Sequence, residues 1–449
     1  MHRCKEVTLT RVIGKSNITI RKTVMYIRSI LKQILPEKHW LGLKTLLHIQ
    51  ISYENFDQRY IAEWTSEHKK NPWVFGSKKY KSGINLVGYL QAIFGLGEAA
   101  RSSILALQAA QIPHNTINYE AGLPDHHQIE AFSNHKTEKC FKYNTNLFHI
   151  NPPELPHLWE GFNRRNLTGR YNIGVWYWEL PDFPEDWLNI FGLVDEVWVA
   201  TQFIRDSISA KSPVPVTIIP PCIHTTYNTG LTRSDFKLPD DRFLFFCAYD
   251  ISSVQTRKNP LGAIEAFKRA FLKSDTSVGL VIKIINARQN LGEVKLLHEA
   301  LCGYSNIYFM EDILERSNVI ALLNLIDAYV SLHRSEGFGL VPAEAMSLGK
   351  PVIMTKWSGN VDFMTDGNSC GVDYKLTSIK EKIGPYLPGQ KWAEPDLDHA
   401  AFFMMKLRSD QEYCTQISEE AKKFIQEHFS AVGIGQLMKD RMQHIGLLE

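Results

Sequence analysis

Two carboxylates, Glu336 and Glu344, bracket a glycine turn in the stretch Ser335-Glu336-Gly337-Phe338-Gly339-Leu340-Val341-Pro342-Ala343-Glu344-Ala345-Met346-Ser347-Leu348-Gly349-Lys350-Pro351. The missing side chains of Gly337 and Gly339 let backbone N–H groups approach a ligand, and Pro342 suits the first position of a helix. That helix is expected to run to about Leu348, with Gly349 just past its end and Pro351 opening the next strand. A strand ending near Leu332 feeds the turn. The helix N-terminus, with unpaired N–H groups and a partial positive charge, therefore stands at the carboxyl end of a sheet strand, where open α/β sheets bind diphosphates. Both carboxylates accept hydrogen bonds from hydroxyls: Glu336 suits those of a sugar, and Glu344 suits the pair on a ribose. The plain alternative is an ordinary loop at Gly337 and Gly339, with Glu344 only favouring the helix start.

As a string, this stretch resembles the Glu-x7-Glu signature of the group-1 family of GT-B glycosyltransferases, with the family's spacing. By layout the resemblance extends over roughly residues 82–430, and it is specific mainly at this motif. It implies that Glu336 contacts the sugar of a nucleotide-diphosphate donor, that the amides of Gly337, Phe338, Gly339 and Leu340 line its site, and that Glu344 binds the ribose. It also implies retention of anomeric configuration by a front-face mechanism. There the departing phosphate helps deprotonate the acceptor, and no dedicated nucleophile like that of retaining glycosidases is needed.

Upstream, Arg257 and Lys258 stand just before a helix expected from Pro260. Preorganised cations of this kind stabilise the charge that grows on a leaving nucleoside diphosphate. The family's Arg…Lys-Gly element occupies this place and makes Lys258 the match. Arg257 is adjacent to it rather than several residues earlier, so a diphosphate contact and a solvent-facing side chain both stay open for Arg257.

In the first half of the chain, Phe94-Gly95-Leu96-Gly97-Glu98 resembles the glycine-rich loop that approaches donor and acceptor in relatives. His149 and Asn151 end one candidate strand and Glu179 ends another, while Trp176 and Trp178 share a face by strand alternation. These are candidates for an acceptor cleft. The competing readings are a satisfied structural histidine, core tryptophans and an exposed glutamate. For a metal the sequence offers no well-placed Asp-x-Asp, and His126-His127 has no carboxylate at useful spacing. The expectation is a site without metal or cofactor, with the protein's own cations against the diphosphate.

A strand–helix alternation positions these residues. Ile84–Tyr89 reads as a strand and Glu98–Ala110 as a helix, followed by apolar runs at 114–119, 146–150, 171–177, 195–200 and 214–220. Residues 220–241 read as a linker. The rhythm restarts with strands at 243–249, 278–285, 306–310, 326–332, 351–355 and 370–373 and a helix at 260–271. Then come a loop holding Pro385, Pro388 and Trp392 and two final helices, 398–407 and 412–428. The expected fold is α/β, with two Rossmann-like domains facing across a cleft, 82–235 on the acceptor side and 236–410 on the nucleotide-sugar side. Residues 1–81 form a basic, partly helical extension and 411–449 a C-terminal helical segment.

Length supports two domains, since cores split above about 250–300 residues and the chain has 449. The net charge of +2 is uneven: residues 1–50 hold ten Lys/Arg and two Asp/Glu, hence +8, which leaves −6 for the rest. That distribution argues against a nucleic-acid-binding body. The seven cysteines form no Cys-x-x-Cys pair, which fits a reducing cytosol. Neither a spanning apolar run nor a secretory core is expected, since Arg28 and Lys32 interrupt the N-terminal apolar stretch. Within residues 21–35, Val24, Ile27, Leu31 and Ile34 fall at helical spacing opposite Arg21, Arg28 and Lys32. This suits either peripheral contact with an anionic membrane bearing a lipid-linked acceptor or a helix packed on protein. Two other functions fit the same architecture, a sugar-nucleotide epimerase and a non-catalytic nucleotide-sugar-binding protein. The presence of Lys258, Glu336 and Glu344 disfavours the second.

Overall fold

The structure is a computed structural model that describes residues 58–70, 72–75, 77–119, 140–156, 166–251 and 253–449. The amphipathic stretch 21–35 and the pair His126-His127 lie outside the described residues. The chain divides into two units, Met1–Tyr60 and Ile61–Glu449.

Its N-terminal half is built on a parallel six-stranded sheet of order β2-β1-β3-β4-β5-β6. These strands are β1 (Lys81–Gly88), β2 (His114–Asn118), β3 (Tyr143–His149), β4 (Tyr171–Val175), β5 (Glu196–Val199) and β6 (Val216–Ile218). The helices α1 (Gln58–Lys70), α2 (Gly95–Ala109) and α3 (Gln202–Ser209) accompany them. Ile84, Leu86, Leu147 and Ile173 are fully buried, as expected for strands covered on both faces. The apolar pattern is broken at Asn85, Asn146 and Asn172, which lie opposite one another across β1, β3 and β4. Asn85 Nδ2 donates to Asn146 Oδ1 at 2.9 Å, and Asn146 Nδ2 to Asn172 Oδ1 at 2.8 Å, so the buried amides satisfy each other.

The C-terminal half repeats the plan with order β12-β11-β10-β7-β8-β9. Its strands are β7 (Phe243–Asp250), β8 (Val278–Ile285), β9 (Ile307–Met310), β10 (Ala328–Ser331), β11 (Val352–Thr355) and β12 (Cys370–Val372). Between them run α4 (Pro260–Ala270), α5 (Leu291–Glu299), α6 (Arg316–Leu325) and α7 (Leu340–Ser347). Two six-stranded sheets in one compact unit are the α/β architecture expected from the sequence.

Two features differ from expectation, the hairpin and the last helix. The loop around Pro385 and Pro388 is flanked by an antiparallel hairpin, β13 (Tyr374–Ser378) and β14 (Lys391–Pro395), and Trp392 lies in its second strand. The strands are separated by a long connection with no two-residue turn signal, which hides their pairing in the sequence. The linker 220–241 connects β6 to β7, and Arg233 in it bonds the carbonyls of Leu325 and Arg242 and pairs with Asp327 at 2.8 Å. After α8 (Leu397–Ser409) and α9 (Gln411–His428) a third helix, α10 (Ala431–His444), follows. It packs into the core of the N-terminal half through Ile434, Met438 and Met442, whereas Cys414 and Ile417 of α9 belong to the C-terminal core. Gly433 and Gly435 weaken the helical signal of α10. The fold needs the second of them, because a Cβ on Gly435 would lie 2.3 Å from the Ala106 carbonyl of α2.

Candidate active site

Gly339 takes φ +95 and α7 starts directly after it. Pro342 is therefore the third helical residue and not the first, because the left-handed glycine closes the turn earlier: the Ala343 N–H already reaches the Gly339 carbonyl at 3.1 Å. A proline costs little at these positions, whose N–H groups have no carbonyl within the helix anyway. The amides left at the helix start are those of Leu340 and Val341. Phe338 turns its ring into the core against Phe363 and Phe429, with centroids 5.2 and 5.7 Å away, and leaves only backbone for a ligand.

Glu336 is fixed through its backbone and its carboxylate. Its N–H donates to Ser358 Oγ at 2.7 Å, and its carbonyl accepts the Gly359 N–H at 2.9 Å. The next carbonyl, that of Gly337, accepts from Thr201 Oγ1 in the other half at 3.0 Å. The two loops pack so closely that a Cβ on Gly359 would lie 1.9 Å from the Gly337 oxygen.

The two cations arrive on a short helical turn, Gln255–Lys258, after β7. Asn259 anchors that turn: its Oδ1 accepts from the Gly262 N–H at 3.2 Å, capping α4, and its Nδ2 donates to the Leu332 carbonyl at 2.8 Å. Lys258 Nζ then lies 2.5 Å from Glu336 Oε1. Arg257 is buried and not solvent-facing, with Nη1 3.3 Å from Glu336 Oε2 and 2.9 Å from the Ser335 carbonyl. Burial would raise the Glu336 pKa, but Lys258 and Arg257 outweigh it and hold the carboxyl down at about 2. Behind the turn, Arg334 Nε and Nη2 grip Glu394 of β14 at 2.6 and 2.7 Å and Nη1 holds the Thr256 carbonyl, so the missed hairpin buttresses the cation turn.

From the N-terminal half, Glu179 joins this cluster. One oxygen lies 3.8 Å from Arg257 Nη2, the other accepts from the Tyr386 hydroxyl at 3.1 Å, and its backbone carbonyl accepts from Ser335 Oγ. Gly95 opens α2 and faces open space, while Gly97 lies against the Ala92 and Tyr89 carbonyls. Trp176 and Trp178 do not line a cleft. β4 ends at Val175, so strand alternation does not govern them, and both are buried among Phe183, Phe191 and Trp187. Asn151 spends its Oδ1 on the Tyr177 N–H at 2.9 Å.

Glu344, in α7, is 2% exposed; Oε1 pairs with Arg316 and Oε2 has no hydrogen-bond partner. His149, at the end of β3, is 1% exposed with neither ring nitrogen bonded. Burial pushes its pKa down to about 3. The unfolded chain takes up this proton near pH 6.5 and the folded chain only near 3, so stability is complete above 6.5 and falls as pH drops through that window. Urea unfolding should show His149→Gln reducing the pH slope there by up to about 1.4 kcal/mol per pH unit. An unchanged slope would assign the acid sensitivity to other groups.

Residues 233–424 match the family model described as "Glycosyl transferases group 1". In fold, the chain is similar to HepE of Anabaena, solved in complex with UDP and glucose (TM-score 0.59, 15% identity, covering 81% of this chain and 100% of that one). The chain is a glycosyltransferase with the GT-B fold, and its residues 233–424 match group 1. Its fold is similarly close to sucrose-phosphate synthase of Thermosynechococcus elongatus (TM-score 0.58, 15% identity, 81% and 99% covered). A glycosyltransferase of Rickettsia africae gives a TM-score of 0.55 at 14% identity, with 81% and 98% covered. Comparison with curated proteins gives no match.

The structure of this glycosyltransferase brings Lys258, Arg257, Glu336 and Glu179 into one ion-pair cluster, with Glu344 further along α7. Sequence reading missed Asn259, Arg316, Ser358, Gly359 and Tyr386. Only Asn259 carried a usable signal, an Asn-Pro pair at a helix start. Among the described residues no group of His, Cys, Asp and Glu is arranged to hold a metal, and no helix is long and apolar enough to cross a membrane.

Proposed function

We propose that this glycosyltransferase moves a hexose-type sugar from a nucleotide-diphosphate sugar to a hydroxyl of a glycan, lipid-linked or other acceptor, with retention and without a metal. The observation that carries this reading is the placement of Glu336 and Glu344 on either side of the Gly339–Leu340 helix start, with Lys258 against the first carboxylate. Glu336 accepts from sugar hydroxyls, the amides of Gly337 to Val341 meet the diphosphate, and Glu344 takes the ribose through its free Oε2. As the sugar–phosphate bond breaks, charge grows on the leaving phosphate. Lys258 stabilises it by exchanging part of its pairing with Glu336 for the phosphate oxygens. Arg257, fixed between Glu336 and Glu179, keeps the sugar-binding carboxylate ionised and in place. His149 offers two unpaired ring nitrogens for a donor or acceptor hydroxyl. The open face at Gly95, with Gly97 packed beneath it, supplies backbone on the acceptor side.

A thermal-shift screen against UDP-, GDP- and dTDP-sugars tests the reading. UDP comes first because HepE was solved with it. A ligand at 100 times its dissociation constant adds about 2.7 kcal/mol of stability, and a screen in which no nucleotide sugar raises the melting temperature would refute the donor site. Glu344→Ala should weaken donor binding about 10-fold or more, the scale of a lost hydrogen bond to a charged group. Its kcat at saturating donor should change little, because ribose contacts exist in ground and transition states alike. Steady-state kinetics that show a kcat defect with unchanged donor KM would contradict the ribose role.

A further inference from the structure

Arg316, the first residue of α6, lies between two carboxylates from different halves of the molecule. Its Nη2 bonds Glu344 Oε1, and its Nε lies 3.4 Å from Glu98 Oε1 in the first turn of α2. Glu98 is itself held by Arg101 Nη2 at 2.7 Å, and Arg101 Nη1 donates to the carbonyls of Leu90 and Ala92 at 2.7 and 3.1 Å. A chain of charged contacts thus runs from α7 through Arg316 to the segment that precedes Gly95. Arg316 belongs neither to the glycine motif nor to the cation turn.

Arg316 bears on the donor through Glu344. That carboxylate is sealed from solvent with one oxygen unpaired, and burial together with the nearby negative charge of Glu98 favours its protonated form. A protonated carboxyl would lose much of its power to accept two ribose hydroxyls. Arg316, whose guanidinium stays charged at any working pH, opposes this in part: the Glu344 carboxyl is still held above the ordinary carboxylate range with the guanidinium beside it. Because Glu98 occupies the Nε side, Arg316 has a fixed orientation that leaves Glu344 Oε2 free.

We infer that Arg316 is a positioning residue for the donor nucleotide: it occupies one oxygen of Glu344 and leaves the other for the ribose hydroxyls, braced by Glu98 from the opposite half. The inference rests on the ribose role proposed for Glu344.

The test is calorimetric titration with whichever of UDP and GDP the wild-type chain binds, and with its 2′,3′-dideoxy counterpart, at pH 8 and pH 6. Wild type should favour the natural nucleotide about 10-fold or more, the scale of lost charge-assisted hydrogen bonds. Arg316→Ala should lose most of that preference, and more of it at pH 6 than at pH 8, because the unaided carboxylate takes up a proton as pH falls. Arg316→Lys should restore part of it, and Arg316→Gln, similar in shape but uncharged, should not. If Arg316→Ala binds both nucleotides more weakly but keeps the wild-type ratio at both pH values, Arg316 is only structural and the inference is overturned. If wild type itself does not distinguish the two nucleotides, the ribose role of Glu344 fails first and takes the inference with it. Thermal melts of all variants separate folding defects from binding ones.

Discussion

Lys258→Ala is expected to lower kcat by about 100-fold or more, the cost of removing one preorganised donor to developing charge, while donor binding changes by a much smaller factor. Lys258 Nζ lies 2.5 Å from Glu336 Oε1, so its charge is already paired within the protein. A bound diphosphate must compete for the ammonium, and the competition tips toward phosphate only as negative charge accumulates during bond cleavage. An interaction that strengthens toward the transition state appears in kcat more than in binding. Lys258→Arg keeps the charge but replaces a point donor on a flexible stem with a planar fork, and it should recover only part of the rate. Single-turnover rates with saturating donor decide the matter. Wild-type rates in the alanine variant would remove Lys258 from the chemistry.

Gly359→Ala should be comparably damaging without touching a charged group. The added Cβ would fall 1.9 Å from the Gly337 oxygen, 2.5 Å from the Gly337 carbonyl carbon and 3.0 Å from the Glu336 oxygen. All three atoms are backbone, so no side chain can swing aside and the two loops must separate. Overpacking of this kind costs about 1–3 kcal/mol of stability. A displacement of about 1 Å in the turn carrying Glu336 should cost roughly 100-fold in turnover. A lowered melting temperature with a collapsed kcat is the expected pair of results. Near-normal turnover would mean that the turn tolerates movement and that its close packing is not needed for catalysis.

Much of this protein was legible in the residue order because the relevant forces are local. The periodic apolar runs marked the strands of both sheets to within a few residues, since burial on two faces demands continuous hydrophobic strands. The glycine turn followed by Pro342 marked the helix start near Glu336, and the carboxylate spacing followed from the same stretch. Cross-strand and cross-half contacts left little trace. The asparagine row at Asn85, Asn146 and Asn172 is a polar interruption until register aligns the three. The hairpin β13–β14 has one strand largely open to solvent and a long connection, so neither alternation nor turn chemistry announced it. Trp176 and Trp178 appeared to share a strand face only because strand alternation was carried past the end of β4 at Val175.

By itself, the sequence determined the α/β class, the helix start between Glu336 and Glu344, and the presence of cations at Arg257 and Lys258. Tertiary structure alone decided which of these groups act on one another. It buried Arg257 between Glu336 and Glu179, set Arg316 against Glu344 and Glu98, and returned α10 to the N-terminal core. The physical reason is range. Helix starts, caps and strand periods are set by neighbours a few residues apart, whereas the ionisation and orientation of a buried charge depend on partners that lie 78 residues away for Lys258–Glu336 and 245 for Glu196–Arg441. Such partners come together only once hydrophobic burial has closed the fold around them.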